Sequence, residues 1–333
     1  MVKAKTYVLK EYFQGFPKPT DIHLEEEELP EIQQDEFLAE AIYLSVDPYM
    51  RKYVARQPLN SIMVGTQVAR ITESKNPKFP VGRHVMARFG WRSHTIHNGE
   101  PDGAGVAPFL LPEDDMGDLP LSLAIGMLGM PGSSAYFGLL ETIHPKTGET
   151  LIVSGAAGAV GSHVGQIGKI KGLKVIGIAG SDEKGEWLTK DLGFDHFINY
   201  KTDDIDKKLR EYAPGGVELY FDNVGGEVTT QVLKNMKTFG RISACGSIAD
   251  YNEQIPKASM IQPAMVFNQL MMQGFQCMHY KNRWDEAFKQ NLEWLKEGKL
   301  KYKETVTEGF ENMFDAFVNM LKGGNVGKAI VKV

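Results

Sequence analysis

Cysteine is almost absent from this chain: Cys245 and Cys277 are the two in 333 residues. Two thiols cannot build a disulfide framework or a structural zinc lobe, which takes four closely spaced thiolates, and they fit a reducing, cytoplasmic setting. Long apolar runs are missing as well. No stretch approaches ~18 apolar residues without a charge, so no membrane span is expected. The opening MVKAKTYVLKEYF lacks the apolar stretch of a signal peptide. An excess of positive charge is also lacking. Lys and Arg number 37 against 42 Asp and Glu, a net charge of −5, which gives nucleic acid or an anionic membrane nothing to bind. There is no internal repeat and no low-complexity tract. The eight histidines contain no H-x-x-x-H pair. His94 and His97 stand close in WRSHTIHNG, but no third ligand accompanies them, so no metal is expected. Without a Lewis acid, developing negative charge has to be met by hydrogen-bond donors.

What is present is an ordinary globular composition, 42% hydrophobic and 24% charged, on a chain long enough for two domains. Up to about Asp118 the texture is strand-like. EFLAEAIYLSVDPYMRKYV, QVARITES and RHVMARFGWRSHTI are separated by Pro/Gly turns, as in a barrel-like β domain. From about Leu119 to Gly298 strands and helices alternate, which predicts a doubly wound parallel sheet. The C-terminal stretch ends in the apolar strand KAIVKV, which needs a sheet to join. The expectation is that it returns to the first domain. The first domain then comprises residues 1–122 and 299–333, with a nucleotide-binding domain, 123–298, inserted between them.

The stretch LIVSGAAGAVGSHVGQIGKI (151–170) reads as buried strand, small-residue turn and helix. In such a turn the first small residue permits the bend, here Ala156 in place of glycine. The second, Gly158, lets the backbone approach a pyrophosphate, and the third, Gly161, lets helix pack on strand. N–H groups at the helix start then face the phosphates. An NAD site usually carries an acidic residue about 20 residues on, at the end of the second strand. Here that strand ends GIAGSDEK. Gly180 and Ser181 make room for a 2′-phosphate, Ser181 can donate to it, and Lys184 can neutralise it, which favours NADP(H). Asp182 reads as the cap or first-turn acid of the next helix.

Several stretches together resemble one family: SVDPYMR, GMPGSSAYFGL, GAAGAVG, GSDEK, YFDNVGG, CGSIADYN and GGNVGKAIVKV. The chain is similar along its length to the zinc-independent medium-chain dehydrogenases/reductases, in the leukotriene 12-hydroxydehydrogenase and prostaglandin reductase branch. The resemblance implies an α/β fold, a GroES-like β-barrel domain plus an inserted Rossmann domain, and a homodimer formed through the Rossmann sheets. It also implies NADPH-dependent reduction of the carbon–carbon double bond of α,β-unsaturated ketones and aldehydes, among them 15-oxoprostaglandins and lipid-derived alkenals, and NADP+-dependent oxidation of a leukotriene 12-hydroxyl. By the same resemblance Gly158, Ala159, Val160 and Gly161 hold the pyrophosphate, and Lys184 and Tyr200 the 2′-phosphate. Asn223 contacts the cofactor, and Cys245, Gly246, Ser247, Ile248 and Tyr251 line its path. Phe275, Gln276 and Cys277 approach the nicotinamide through backbone groups, and Asn325 binds the cofactor from the C-terminal turn. The sequence departs from the family pattern at Ser134, where Thr is frequent, at Gly324, where Asp is common, and in the unusually polar QGFQCMHY.

Tyr251 is the expected donor that orients or protonates an enolate, since a tyrosine with a pKa near ~10 is a neutral donor at pH 7. Tyr49 in DPYMR is expected as a wall or second donor on the barrel side. Met260, Met265, Met271 and Met272 form a stripe that reads as core. A quinone reductase of the same superfamily and a non-catalytic NADPH-binding structural protein are the competing readings.

Overall fold

The computed structural model describes residues 2–253 and 259–333. The chain forms two compact units, Met1–Gly126 with Glu304–Val333, and Met127–Lys303. These breaks fall a few residues beyond those expected at 122/123 and 298/299. Leu121–Ile125 form a 3-10 turn that packs on strands of the first unit. Residues 301 and 303 belong to the second, where Lys301 N donates to Gln166 Oε1 at 2.7 Å and Lys303 Nζ lies 5.8 Å from the Trp187 ring centroid.

The first unit opens with the antiparallel pair β1 (Lys3–Leu9) and β2 (Ile22–Glu28). It continues as β3 (Phe37–Ser45), helix α1 (Met50–Tyr53), β4 (Gln67–Ser74), β5 (His84–Ala87), β6 (His94–His97), β7 (Phe109–Leu110) and α2 (Glu113–Met116). The DPYMRKYV stretch, expected to be strand-like, is helical. Met50 N and Arg51 N donate to Asp47 O and Pro48 O, so the chain turns as soon as it leaves β3. The second unit alternates α3 (Met130–Leu140), β8 (Thr150–Ser154), α4 (Ala159–Ile170), β9 (Lys174–Ala179), α5 (Asp182–Glu186), β10 (His196–Asn199), α6 (Ile205–Tyr212), β11 (Val217–Asp222), α7 (Gly226–Leu233), β12 (Met236–Ala244), α8 (Gln262–Phe267), β13 (Met271–Gly274) and α9 (Trp284–Lys296). Its six strands are parallel in the order β10-β9-β8-β11-β12-β13. The order reverses direction between β8 and β11, where a doubly wound sheet opens the crevice that takes a nucleotide. The chain then returns as β14 (Glu304–Glu308), α10 (Met313–Leu321) and β15 (Lys328–Lys332). β15 pairs parallel with β14 and antiparallel with β3, completing the order β14-β15-β3-β4-β5-β7, with β6 also on β3. The methionine stripe divides. Met265 and Met272 pack on the second unit's core, whereas Met260 and Met271 are exposed.

The returning strand is fastened by a buried charge. Lys328 Nζ donates to Val46 O at 2.9 Å and pairs with Asp47 Oδ1 at 3.2 Å, and both side chains are buried. Ser45 Oγ donates to the other oxygen of Asp47. Burial depresses the Lys328 ammonium pKa, and Asp47 opposes that shift. Glu304 lies opposite Lys328 in the β14–β15 register. Its Oε2 accepts from Ser122 Oγ at 2.9 Å, while its Oε1 is buried without a hydrogen-bond partner among the described residues. Burial therefore raises the Glu304 pKa, against the pull of Ser122 and Lys328. The folded protein holds that proton more tightly than the unfolded chain, so the associated stability is present at acid pH and lost as pH rises through the raised value. Glu304→Gln removes that loss. In thermal melts its Tm exceeds that of the parent at about pH 8, and the gap closes toward about pH 4. A gap that does not change with pH contradicts this account.

Candidate cofactor and active site

β8 is buried throughout and ends at Ser154. The chain then turns through Gly155, whose φ of +59° is a left-handed conformation that glycine adopts without strain. Ala156, which stands in for the first glycine of the turn, is fully buried, and its N–H donates to Ile178 O at 3.0 Å. Its methyl faces Gly177 of β9, where a Cβ would lie 3.1 Å away. The room missing at 156 is thus supplied by a glycine on the neighbouring strand. Gly158 caps α4 with extended backbone. At Gly161 a Cβ would fall 2.3 Å from Gly155 O, so only glycine lets the helix sit this close to the turn. Gly158, Ala159 and Val160 remain partly exposed. The first N–H groups of this 12-residue helix therefore offer a cradle that fits a pyrophosphate.

One carboxylate organises the strand ends beside that turn. Asp222, at the end of β11, is buried. Its Oδ1 accepts from Ser154 Oγ (3.0 Å), Tyr220 OH (2.8 Å), Val224 N (3.0 Å) and Gly225 N (2.9 Å), and its Oδ2 from Thr229 Oγ1 (2.5 Å). Its carbonyl accepts from Cys245 N at 2.8 Å and Gly246 N at 3.1 Å. Sequence patterns do not single out Asp222, although it stands inside FDNVGG. The signal they do carry is an acidic residue at the end of the strand, three residues before the first glycine of a Gly-Gly turn. Asn223 crosses to β8, its Nδ2 donating to Ser154 O at 2.8 Å. Asn223 O in turn accepts from Ile248 N at 3.4 Å.

The loop hung from Asp222 and Asn223 carries Cys245, Gly246, Ser247, Ile248 and Tyr251. Tyr251 is half-buried, and its hydroxyl lies 3.4 Å from where a Cβ on Gly246 would stand. Burial raises its pKa, a backbone hydrogen bond from Ser247 opposes the rise, and Cys245 adds to it. Burial also pushes the Cys245 thiol up to about 12, with Cys277 and Asp222 contributing. Past β13, Phe275 packs edge-on to Phe221 with centroids 6.1 Å apart, Gln276 is exposed and Cys277 is buried. Gly138 makes room for Phe275, since a Cβ there would meet its ring at 2.2 Å.

At the end of β9, Gly180 lies under the Tyr200 ring, which a Cβ would meet at 2.9 Å. Ser181 caps α5, its Oγ accepting from Lys184 N. Asp182 Oδ1 accepts from Asn199 Nδ2 at 2.8 Å. Lys184 is half-buried, and burial together with Lys201 lowers its pKa, against the pull of Glu183.

Two of the expected site residues lie in the first unit. Tyr49 precedes α1, packs on the core and meets Tyr53 edge-on at 6.2 Å. Burial and then Asp47 raise its pKa, while Arg88 and a hydrogen bond with Thr66 oppose the rise, so its hydroxyl stays neutral at pH 7. Asn325 Nδ2 donates to Gly327 O at 2.8 Å and braces its own turn. At Gly324 a Cβ would stand 2.0 Å from Asn319 Oδ1, so a larger residue there requires the Asn319 side chain to move.

Comparison with known proteins adds the family. Residues 5–102 match the family described as N-terminal domain of oxidoreductase, and residues 159–297 match the one described as zinc-binding dehydrogenase. The chain is 49% identical to prostaglandin reductase 1 of Bos taurus, with 100% of each chain covered. It belongs to the zinc-independent medium-chain dehydrogenases/reductases. The 2-alkenal reductase (NADP(+)-dependent) of Nicotiana tabacum is 37% identical over 100% of this chain and 98% of its own. CurA from Vibrio vulnificus, solved in complex with NADPH, superposes with a TM-score of 0.90 at 37% identity, covering 99% of both chains. In this medium-chain dehydrogenase/reductase no group of three or more His, Cys, Asp or Glu among the described residues could hold a metal ion.

Asp222→Ala strands five donors. It is expected to lower the Tm by roughly 10 °C, given ~1–3 kcal/mol for each unsatisfied buried group and partial relaxation, and to weaken NADPH binding together with stability. Asp222→Asn, which keeps an acceptor oxygen, loses less. Calorimetry and a fluorescence titration with NADPH check both.

Proposed function

We propose that this chain reduces the carbon–carbon double bond of α,β-unsaturated ketones and aldehydes with NADPH, and that 15-oxoprostaglandins and lipid-derived alkenals are its substrates. The carrying observation is Tyr251, a neutral hydroxyl seated over Gly246 in the loop anchored by Asp222. The activities in the names of the bovine and tobacco relatives support the same reading. Gly158 to Gly161 bind the pyrophosphate, and Lys184, Ser181 and Tyr200 the 2′-phosphate. Asn223, Cys245 to Ile248, Phe275 to Cys277 and Asn325 complete the cofactor contacts. Bound NADPH supplies a hydride. Tyr251 donates a hydrogen bond to the substrate's carbonyl oxygen as negative charge collects there, and it can pass its proton on toward the α-carbon. Tyr49 supplies a second neutral hydroxyl for the substrate.

The deciding assay measures NADPH consumption with an alkenal, a 15-oxoprostaglandin and a quinone. Turnover of the first two above the quinone is expected. Tight NADPH binding with no turnover of any of them would instead favour a binding protein. At saturating NADPH, Tyr251→Phe should lower kcat by about a hundredfold, and an unchanged kcat would remove Tyr251 from the chemistry.

The reading extends to a cytoplasmic homodimer. Cys245 and Cys277 are both free thiols, as a reducing compartment keeps them. Among the described residues no helix is long and apolar enough to cross a membrane. β13 ends the six-stranded sheet, with Met271, Gln273 and Gly274 exposed, and the neighbouring α8 exposes Val266 (72%) and Phe267 (82%). An open edge beside apolar side chains is an aggregation hazard unless it is covered. A second copy, related by a two-fold axis, covers it with the same surface. Light scattering after size exclusion is expected to give a dimer, and Phe267→Glu a larger monomer fraction. A parent protein that is monomeric at micromolar concentration overturns this part.

A further inference from the structure

We propose that Lys201 is a second cation of the site for the 2′-phosphate of NADPH, and that Lys184 and Lys201 together set the preference for NADPH over NADH. This rests on the assignment of Lys184 and Tyr200 to that phosphate.

β9 and β10 run parallel with Asn199 beside Ala179, and Tyr200 N donates to Ala179 O at 3.1 Å, which carries the pairing one residue further. The chain therefore leaves the sheet with Tyr200 against Gly180 and Lys201 next in line. Asn199 anchors this exit. Its Oδ1 accepts from Lys201 N at 3.2 Å, and its Nδ2 donates to Asp182 Oδ1 at 2.8 Å. One buried side chain thus ties the backbone of Lys201 to the first residue of α5, the helix that carries Lys184. Burial first and then the charge of Lys201 lower the Lys184 pKa. Glu183 opposes the fall in the Lys184 pKa, and Lys201, which lines a cavity with Asp203, Asp204, Asp206 and Glu227, forms no ion pair with a carboxylate among the described residues.

Two like charges held together by neighbouring backbone are unfavourable on their own. A phosphate dianion between them reverses the sign of the interaction. Gly180 is covered by the Tyr200 ring, and Tyr200, 48% exposed, stands directly before Lys201. NADH, with a hydroxyl in place of the phosphate, gains nothing from either cation. The carboxylate that would serve NADH, Asp182, is bonded to Asn199.

The test measures binding, so its result is independent of the enone chemistry. Dissociation constants for NADPH, NADH and 2′,5′-ADP are compared for the parent, Lys184→Gln, Lys201→Gln and Lys207→Gln, an exposed lysine on α6 as control. Lys201→Gln is expected to weaken NADPH and 2′,5′-ADP about tenfold, as for one lost charge-assisted contact. NADH should change less than about twofold. Lys207→Gln should leave all three unchanged. If Lys184→Gln shifts the NADPH/NADH ratio and Lys201→Gln does not, Lys201 is a solvated surface lysine and the proposal falls while the assignment of Lys184 stands. If neither shifts it, both fall. An equal effect of Lys207→Gln reduces the result to a general field and also overturns the proposal.

Discussion

The buried carboxylate of Asp222 is the constraint on which the nucleotide-binding unit depends. Removing a carboxylate from water is costly by several kcal/mol unless its lone pairs are fully met. Here five donors meet it, from β8, β11, α7 and the turn between the last two. Each of these elements could slide on an apolar sheet without much loss, because hydrophobic contact is non-directional. A shared acceptor removes that freedom. The same residue's carbonyl holds the exit of β12, and Ser154, one of its donors, accepts from Asn223 N at 3.0 Å. The glycine turn, Asn223 and the Tyr251 loop are therefore set relative to one another by a single side chain that none of the proposed roles assigns to ligand.

The first unit solves a comparable problem with the opposite sign. A C-terminal strand has to find its place between β14 and β3 after the whole second unit has intervened. Apolar alternation alone would permit a register slip. Lys328, at the first position of β15, can bury its ammonium only where Asp47 and the carbonyl of Val46 await it. A slip would leave the charge unpaired, so the ion pair acts on register more than on net stability. The pair joins the DPYMR stretch to the GGNVGK stretch, since Asp47 and Lys328 are partners.

Much of this was legible in the sequence because it rests on local rules. The strand–turn–helix of residues 151–170, the cap at Ser181, the helix after β10 and the return of KAIVKV to the first unit are consequences of periodicity, glycine placement and apolar runs. The unread parts depend on contacts distant in sequence. β13 is a short strand whose exposed MMQG has no alternation, and it forms because β12 offers it an edge. The helical turn at Met50–Tyr53 is hidden in an apolar pattern that looks like a strand. Asp222 reads as a turn residue until Ser154 and Thr229 are seen to converge on it. The side chains proposed to bind in the nucleotide unit stand in motifs, whereas Asp222, which positions the strand ends beside them, does not stand out in the sequence. Ala156 shows the same division. Its deviation from glycine is plain in the sequence, but the compensating Gly177 is found only across the sheet.

The protonation pattern near the proposed chemistry is uniform. Tyr251, Cys245 and Cys277 in the second unit all have pKa values raised chiefly by burial, the two thiols to about 12 and about 11. Tyr49 in the first unit is raised for the same leading cause. Each of these groups is therefore a neutral donor at pH 7. An anion forming on a substrate oxygen is better served by such donors than by a site that already holds negative charge. The thiols carry a second consequence. On the proposed reading the substrate is itself an electrophile at its β-carbon, and the thiolate is the form of cysteine that attacks such carbons. Burial holds Cys245 and Cys277 as thiols, which disfavours their attack on such a carbon. Desolvation thus lowers the ionised fraction of Tyr251 and of both cysteines together.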